Sequence, residues 1–448
     1  MLGVFIIAII ATLFIIESSR RGIVDTLISP IWVFTLFYVL SYPLRYYLII
    51  EYEIEIIAGT KPTNDLLLLS LCLSFVAWVF MFTIYKFFEI KRIRIEKEYT
   101  GLNSKKFINN SHIFYPLIFF VLISAYLFYQ DLVQNDFLLS KLLPGQEHHI
   151  ARFGNGPYYF LYGFYLNVFL IWLFLFKGFH SAKKTVIFLS LCLLVAFLES
   201  TLFGTRRPLY LVLMAFLTAA ILKPNLLIFG KRFYKKLLFL LILSPVLLAP
   251  MTIVLKYNFM EALKSGVFFS DSLRDVATHI SSTFEGVEHL ANYLGQITEF
   301  QFLFGVGYGS AFLFNIGLAY VPRVIWSSKP SIYGITETQA FLYPEMYVSS
   351  VSQTTIPPGL FVDFLYHFGF FSFLILLLLL AILLNWINKN LFVRTIHSSG
   401  FSLLVSAFLY INMFNIVRAG TAMMKSVLLL ILFAFIFYLL NKINWRIK

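Results

Sequence analysis

Long apolar runs recur along the chain and are separated by shorter segments that carry most of its charges. A run of about twenty apolar residues matches the length of a helix that crosses the hydrocarbon core of a bilayer. The runs do not show the two-residue alternation that is typical of membrane β-barrels. The pattern predicts about eleven helical spans, at 2–17, 30–50, 66–88, 113–130, 158–176, 185–203, 208–222, 237–255, 359–386, 399–417 and 422–440.

Composition agrees with a chain that folds in lipid. Of its 448 residues, 60% are hydrophobic, 19% are aromatic and only 13% are charged, a balance that excludes an ordinary water-soluble globular protein. The first apolar run lacks a basic n-region and a small-residue cleavage site, so we expect it to stay as a helix. The predicted fold class is therefore an all-α polytopic integral membrane protein.

The distribution of lysine and arginine predicts the orientation. Most of the 35 basic residues fall in one alternating set of loops, which the positive-inside rule places in the cytoplasm. The amino terminus then faces outward and the carboxyl terminus inward. The net charge of +13 largely reflects this topology, and no basic stripe suggests nucleic-acid binding. The basic loops are 17–29, 89–112, 177–184, 223–236, 387–398 and the carboxyl-terminal tail.

Two long outer loops stand out in the predicted organisation. A bundle of about eight spans at 1–255 contains the outer loop 131–157, and about three further spans follow at 359–448. Between them, 256–358 is long enough to form a helical subdomain on the outer face. Part of it, 302–326, is apolar but interrupted by glycine and proline, which predicts a re-entrant or interfacial helix.

Each long outer loop carries an arginine that is followed ten residues later by a glycine. These are Arg152 with Gly163 and Arg323 with Gly334. A guanidinium keeps its charge near lipid, and its planar fork grips phosphate oxygens in two places, which suits a diphosphate at the membrane surface. The alternative is that each arginine only extends its charged end to the membrane interface.

Further basic residues are predicted on the same side. Arg206 and Arg207 lie in a turn too short to leave the membrane, and Arg418 lies at an outer helix end. Ionisable groups at that depth usually face a cavity or a partner, although contact with lipid headgroups is the alternative. With Arg274 and Lys329 of the long loop, these residues are candidates for binding an anionic substrate group.

Asp363 and His367 are candidates for proton transfer. They are four residues apart, so a helix that enters the membrane there would stack them on one face. A desolvated carboxylate could act as a general base for a sugar hydroxyl, whereas the alternative is a pair that only caps the helix. Motifs for nucleotides or metals are missing, so we expect no cofactor and no metal. The reserve candidates are Glu147, His148, His149, Asp275, His279, Glu285 and Glu299.

Taken together, these motifs resemble the Wzy-type polymerases of lipid-linked oligosaccharide repeat units. The similarity covers most of the length and includes the two arginine-x10-glycine elements. The stretch 320–330, YVPRVIWSSKP, is similar to the proline-arginine, tryptophan and lysine-proline pattern of that family, and 357–369 is similar to its next span, with an acidic residue at Asp363. The resemblance implies a GT-C-like membrane glycosyltransferase that works by inversion.

The resemblance also implies the reaction and its partners. The growing glycan would move from undecaprenyl diphosphate to an incoming lipid-linked unit, at the outer face of the bacterial inner membrane. A flippase and a chain-length regulator are the implied protein partners. In this hypothesis Arg152, Arg323 and Asp363 are catalytic. The residues expected to bind substrate are Arg206, Arg207, Arg274, Lys329, His367 and Arg418.

Two alternatives share the same lipid-linked substrate. An O-antigen ligase would transfer the glycan to lipid A core, and ligases carry a histidine followed by Asn, Ser or Gln before the corresponding helix. Here 353–358 reads QTTIPP, without that histidine, which favours the polymerase. A flippase or transporter would use its basic residues for binding only, and the internal symmetry typical of transporters is not evident in this sequence. A purely structural partner of the export machinery would leave the outer arginines unexplained.

Overall fold

The computed structural model describes residues 1–53, 62–89, 285–307, 338, 340–344, 358–393 and 400–419. These residues are 87% helical and contain no strand, which confirms the predicted all-helical class for this part of the chain. We number the helices α1 to α10 in chain order. They are α1 Leu2–Arg21, α2 Ile23–Leu27, α3 Pro30–Ser41, α4 Pro43–Tyr52, α5 Asn64–Phe88, α6 Val287–Gln296, α7 Glu299–Phe304, α8 Leu360–Asn388, α9 Gly400–Ile411 and α10 Met413–Ala419, with a π-helical turn at Lys389–Val393.

Four helical segments are long and apolar enough to cross a membrane, and they coincide with four of the predicted spans. They are Leu2–Arg21, Pro30–Tyr52, Asn64–Phe88 and Leu360–Leu391. The residues of the span predicted at 399–417 form two shorter helices, α9 and α10, which are separated at Asn412. The remaining predicted spans and the outer loop 131–157 lie outside the described residues.

The chain divides into two compact units. The first contains 1–90, 272–388 and 412–429, and the second contains 91–271, 389–411 and 430–448. In the second unit, the Asn390 side chain donates a hydrogen bond to the Ser406 hydroxyl at 3.2 Å. The helices α1 to α8 and α10 belong to the first unit, which holds all the candidate site residues that the structure describes.

The second span is divided at Pro43, where the sequence predicts one continuous helix. Proline lacks an N–H and tolerates only the first turn of a helix, so α3 ends and α4 begins with Pro43. Tyr42 at this break stacks on Tyr38, with ring centroids 5.3 Å apart, and lies 5.2 Å from the ring of Phe361 on α8. Through Tyr42, the second span therefore packs against the start of α8.

The long helix α8 is interrupted at Gly369, which has φ 67° and ψ 180°. The backbone of the segment after α7 crosses this interruption, and the N–H groups of Val306 and Gly307 both donate to the Tyr366 carbonyl, at 2.7 and 2.9 Å. A non-helical turn at membrane depth is tolerated where protein covers it and satisfies its polar groups. The sequence predicts that a helix begins at residue 302. In the structure, α7 already begins at Glu299 and ends before Gly305, whose φ is 85°.

At the predicted cytoplasmic end, α1 and α5 share a cluster of four charges. Arg21 donates to both carboxylate oxygens of Glu89, at 2.6 and 2.8 Å. Lys86 donates to Glu17 at 2.5 Å and to Glu89 at 3.1 Å. Burial alone would raise the pKa of Glu89, but its bonds to Arg21 and the charge of Lys86 lower it overall. The cluster ties the ends of two spans together.

Candidate functional site

Asp363 lies in the first turn of α8 and is fully buried. The Thr338 hydroxyl donates a hydrogen bond to its Oδ1 at 3.1 Å. The Nε2 of His367 lies 3.4 Å from the same oxygen, so both side chains occupy one helix face, as their four-residue spacing predicts. A buried carboxylate is costly unless other groups satisfy it, so this arrangement is typical of a functional or tightly paired position.

His367 is also fully buried, and neither ring nitrogen has a hydrogen-bond partner within the part of the chain that the structure describes. Its Nδ1 faces Gly307, where an added Cβ would come within 2.7 Å of that nitrogen. An imidazole has one nitrogen that donates and one that accepts when it is neutral. Among the described residues, no donor or acceptor uses the hydrogen-bonding capacity that His367 has beside the Asp363 carboxylate.

Backbone contacts hold the start of α8 in place. The N–H of Gly359 donates to the carbonyl of Arg418 at 3.0 Å, and the N–H of Asp363 donates to the carbonyl of Gly359 at 3.1 Å. From the other side, the Tyr293 hydroxyl on α6 donates to the Leu365 carbonyl at 3.0 Å. Helices α6 and α10 therefore both contribute to the position of Asp363.

A second buried ionic group lies between α4 and α6. The Nε of Arg45 donates to Oε1 of Glu288 at 2.7 Å, and Nη2 of the arginine lies 2.7 Å from the same oxygen. Both side chains are 0% exposed. Burial raises the pKa of Glu288, and the positive charge of Arg45 opposes that rise only in part. Neither residue is among the candidates predicted from the sequence, although Arg45 interrupts an apolar predicted span, which is a recognised signal of function.

His289, next to Glu288, hydrogen-bonds through Nδ1 to the hydroxyl of Tyr343. Burial, together with the positive charges of Arg45 and Arg418, lowers the pKa of His289 to about 3, so the imidazole is neutral. The Asn292 amide also donates to the Tyr343 oxygen, at 3.3 Å. The other ring nitrogen of His289, Nε2, lies 3.6 Å from a Glu285 oxygen.

The structure therefore describes three of the predicted site residues. Asp363 and His367 lie together, and the half-buried Arg418 contacts the same region through its carbonyl and through its charge on His289. Within the described ranges, no group of three or more metal-ligating side chains comes together. The other predicted site residues lie outside the described residues: Arg152, Arg206, Arg207, Arg274, Arg323 and Lys329.

In comparisons with known proteins, no family model, no curated protein and no solved structure matches this chain.

Proposed function

We propose that this protein is a membrane glycosyltransferase that polymerises lipid-linked oligosaccharide repeat units at the outer face of the bacterial inner membrane. The observation that best supports the proposal is the buried Asp363 carboxylate at the start of a spanning helix, with Thr338 and His367 at one of its oxygens. A carboxylate in such surroundings can accept a proton from a sugar hydroxyl, which is the step that glycosyl transfer to an alcohol requires.

In the proposed reaction, the hydroxyl of the incoming lipid-linked unit gives its proton to Asp363. Its oxygen forms a bond to the anomeric carbon of the donor glycan, from the face opposite the diphosphate. The bond between that carbon and the diphosphate oxygen breaks, and undecaprenyl diphosphate leaves with the electron pair. Attack from the opposite face inverts the anomeric configuration. His367 would orient the acceptor hydroxyl because its ring faces the same carboxylate.

Charge develops on the diphosphate as it leaves, and arginines are suited to stabilise it. Arg418 lies beside the start of α8 through its carbonyl contact with Gly359. The arginines of the predicted outer loops, Arg152 and Arg323 first among them, complete the proposed donor site. Each hydrogen-bond donor aimed at developing charge contributes about 3–4 kcal/mol to transition-state stabilisation, so losing one arginine would cost on the order of a hundredfold or more in rate.

The test uses the purified full chain in lipid nanodiscs with one lipid-linked repeat unit as both donor and acceptor. We expect a ladder of longer glycans on gels without any ion gradient. A flippase would give no extension, and a ligase would extend nothing until lipid A core is added. Failure of the wild-type protein to produce a ladder from an authentic substrate would refute the proposal.

The Asp363→Asn variant keeps the shape of the side chain but removes the base. We expect extension to fall by about 10²–10⁴-fold, the usual contribution of general base catalysis. Asp65→Asn is the matched control, since Asp65 also lies in the first turn of a spanning helix but is exposed. If Asp363→Asn extended glycans as fast as Asp65→Asn, the assignment of Asp363 as the base would be wrong.

A further inference from the structure

A group of buried and half-buried charged side chains lies between α4, α6 and α10, and only Arg418 among them has a role in the proposed reaction. We call it the Arg45 cluster, and its members share burial or half-burial in one region of the first unit. They are Arg45, Glu285, Glu288, His289, Tyr343 and Arg418.

Positive charge and hydrogen-bond donors converge in this cluster. Arg418 lies next to the start of α6, because its carbonyl accepts from Gly359 and a Cβ added at Gly359 would lie 4.0 Å from the Cα of Gly286. The charges of Arg45 and Arg418 both lower the pKa of His289. The Nε2 atom of His289 also faces this region, 3.6 Å from a Glu285 oxygen. The amino-terminal end of α6, a ten-residue helix whose N-cap residue Gly286 makes no side-chain cap bond, adds the positive end of its dipole.

A carboxylate occupies this convergence of donors. Glu288 places Oε1 against Arg45, while its Oε2 has no hydrogen-bond partner in the described segments. Among the described residues, Glu285 also faces His289, with an oxygen 3.6 Å from Nε2. An anionic ligand can bind to Arg45 if it displaces the Glu288 carboxylate from the guanidinium.

The character of the donors favours a diphosphate as the anion. Guanidinium groups bind phosphate oxygens through paired N–H donors, and a helix amino terminus adds backbone donors for the same oxygens. Arg45 lies near the end of the second span that the charge rule places outside, and Arg418 belongs to the proposed donor site. The cluster is therefore on the predicted side of the membrane where lipid-linked glycan would arrive.

We infer that Arg45 is a further substrate-binding residue, which together with Arg418 holds the diphosphate of a polyprenyl-linked donor, and that Glu288 occupies this site until the donor displaces it. The inference rests on the proposed glycosyl transfer and adds to it a diphosphate site in the second span. Glu288 acts as an internal competitor, so its negative charge weakens donor binding.

The rival explanation is a salt bridge that only holds α4 and α6 together, and a double variant separates the two. Removing one partner of a buried pair leaves an uncompensated charge, whereas replacing both partners with apolar residues of similar size usually preserves the fold. We therefore expect Arg45→Met alone to lower the yield of folded protein. The double variant Arg45→Met/Glu288→Leu should fold, yet it should not bind diphosphate.

Binding is measured on the purified full chain by thermal unfolding in detergent, with three probes: inorganic pyrophosphate, a short prenyl diphosphate and the matching prenyl alcohol. We expect the prenyl diphosphate to raise Tm of the wild type and the alcohol to have no effect. A shift with pyrophosphate alone would indicate a site for the free anion and would overturn the assignment to a lipid-linked donor. In the double variant, the shift with prenyl diphosphate should disappear.

Glu288→Gln provides a test that does not depend on the folding of the double variant. Glutamine keeps a hydrogen-bond acceptor for Arg45 but removes the competing charge. We therefore expect the Kd of this variant for prenyl diphosphate to be about tenfold lower than that of the wild type, the effect of a charge interaction that is worth about one pKa unit. An unchanged or higher Kd, or a double variant that binds as the wild type does, would overturn the inference.

The outcomes also separate this inference from the proposed function. If the diphosphate shifts follow expectation but no glycan ladder forms, the binding site stands and the polymerase proposal fails. If the double variant still extends glycans at the wild-type rate, the polymerase proposal stands and the role of Arg45 is wrong.

Discussion

The interruption of α8 at Gly369 leads to the sharpest prediction on stability. Its φ of 67° lies in a region that side chains avoid, and an added Cβ would meet the N atom of Gly305 and the carbonyl carbon of Phe304 at 2.5 Å, in addition to the Leu303 carbonyl oxygen. Backbone strain of this kind costs about 1–3 kcal/mol. Overpacking against neighbouring atoms adds roughly 1–3 kcal/mol. Gly369→Ala should therefore destabilise the protein by roughly 2–6 kcal/mol.

The chain offers a control that separates the two contributions. Gly22 has a similar conformation, with φ 90° and ψ 146°, but an added Cβ there meets nothing within 4 Å. Gly22→Ala should therefore cost only the backbone strain, about 1–3 kcal/mol. Denaturant unfolding in mixed detergent micelles, followed by tryptophan fluorescence, measures both variants against the wild type. If Gly369→Ala were no more destabilising than Gly22→Ala, the close crossing of the two backbone segments would be refuted.

His289→Gln should flatten the dependence of the unfolding free energy on pH between about 6.5 and 3, because in that range His289 binds a proton in the unfolded chain but not in the folded one. In the wild type, this histidine contributes a slope that approaches about 1.4 kcal/mol per pH unit. Equal slopes for the two proteins in chemical unfolding would contradict the prediction. Thr338→Val removes the buried hydrogen bond to Asp363, worth about 1 kcal/mol, so it should lower Tm and, if the proposed function holds, slow glycan extension about fivefold. Thr83→Val, an exposed change within α5, should do neither. Ionised Glu89 stabilises the folded protein because its pKa is lowered, so the wild type loses this contribution as pH falls below about 4.5. Glu89→Gln lacks the contribution at every pH and should therefore lose less stability on acidification. Identical acid unfolding of the two proteins would exclude a role for the Arg21–Glu89 pair.

Local spacing in the sequence predicted one part of the candidate site. Asp363 and His367 are four residues apart, and an α-helix brings such residues onto one face whatever the rest of the fold does. The hydrogen bond from Thr338 was not predictable in this way, because that residue lies 25 positions away in a different segment. The spacing therefore identified the pair, while the surrounding donors depended on tertiary contacts.

The sequence contains a residue, Pro43, from which the division of the second span could have been predicted, although a single helix was expected there. Pro43 has no N–H to donate and cannot continue a helix through its position without loss, so α3 and α4 are separate. The interruption at Gly369 had no comparable signal. Glycine is common in membrane helices, and Gly369 adopts its conformation because the segment around Gly305 crosses it.

Apolar runs of spanning length are enough to indicate a chain that folds in lipid as helices, because such runs are stable there only when their backbone groups bond within a helix. The residue types also indicate which side chains have suitable chemistry, including the carboxylate of Asp363. Which charges pair depends on tertiary contacts. Arg45 and Glu288 are 243 positions apart, and each is tolerable in a buried position because the fold brings the other within 2.7 Å. The pattern of apolar residues does not reveal such a partner, because each charged residue taken alone predicts an exposed position.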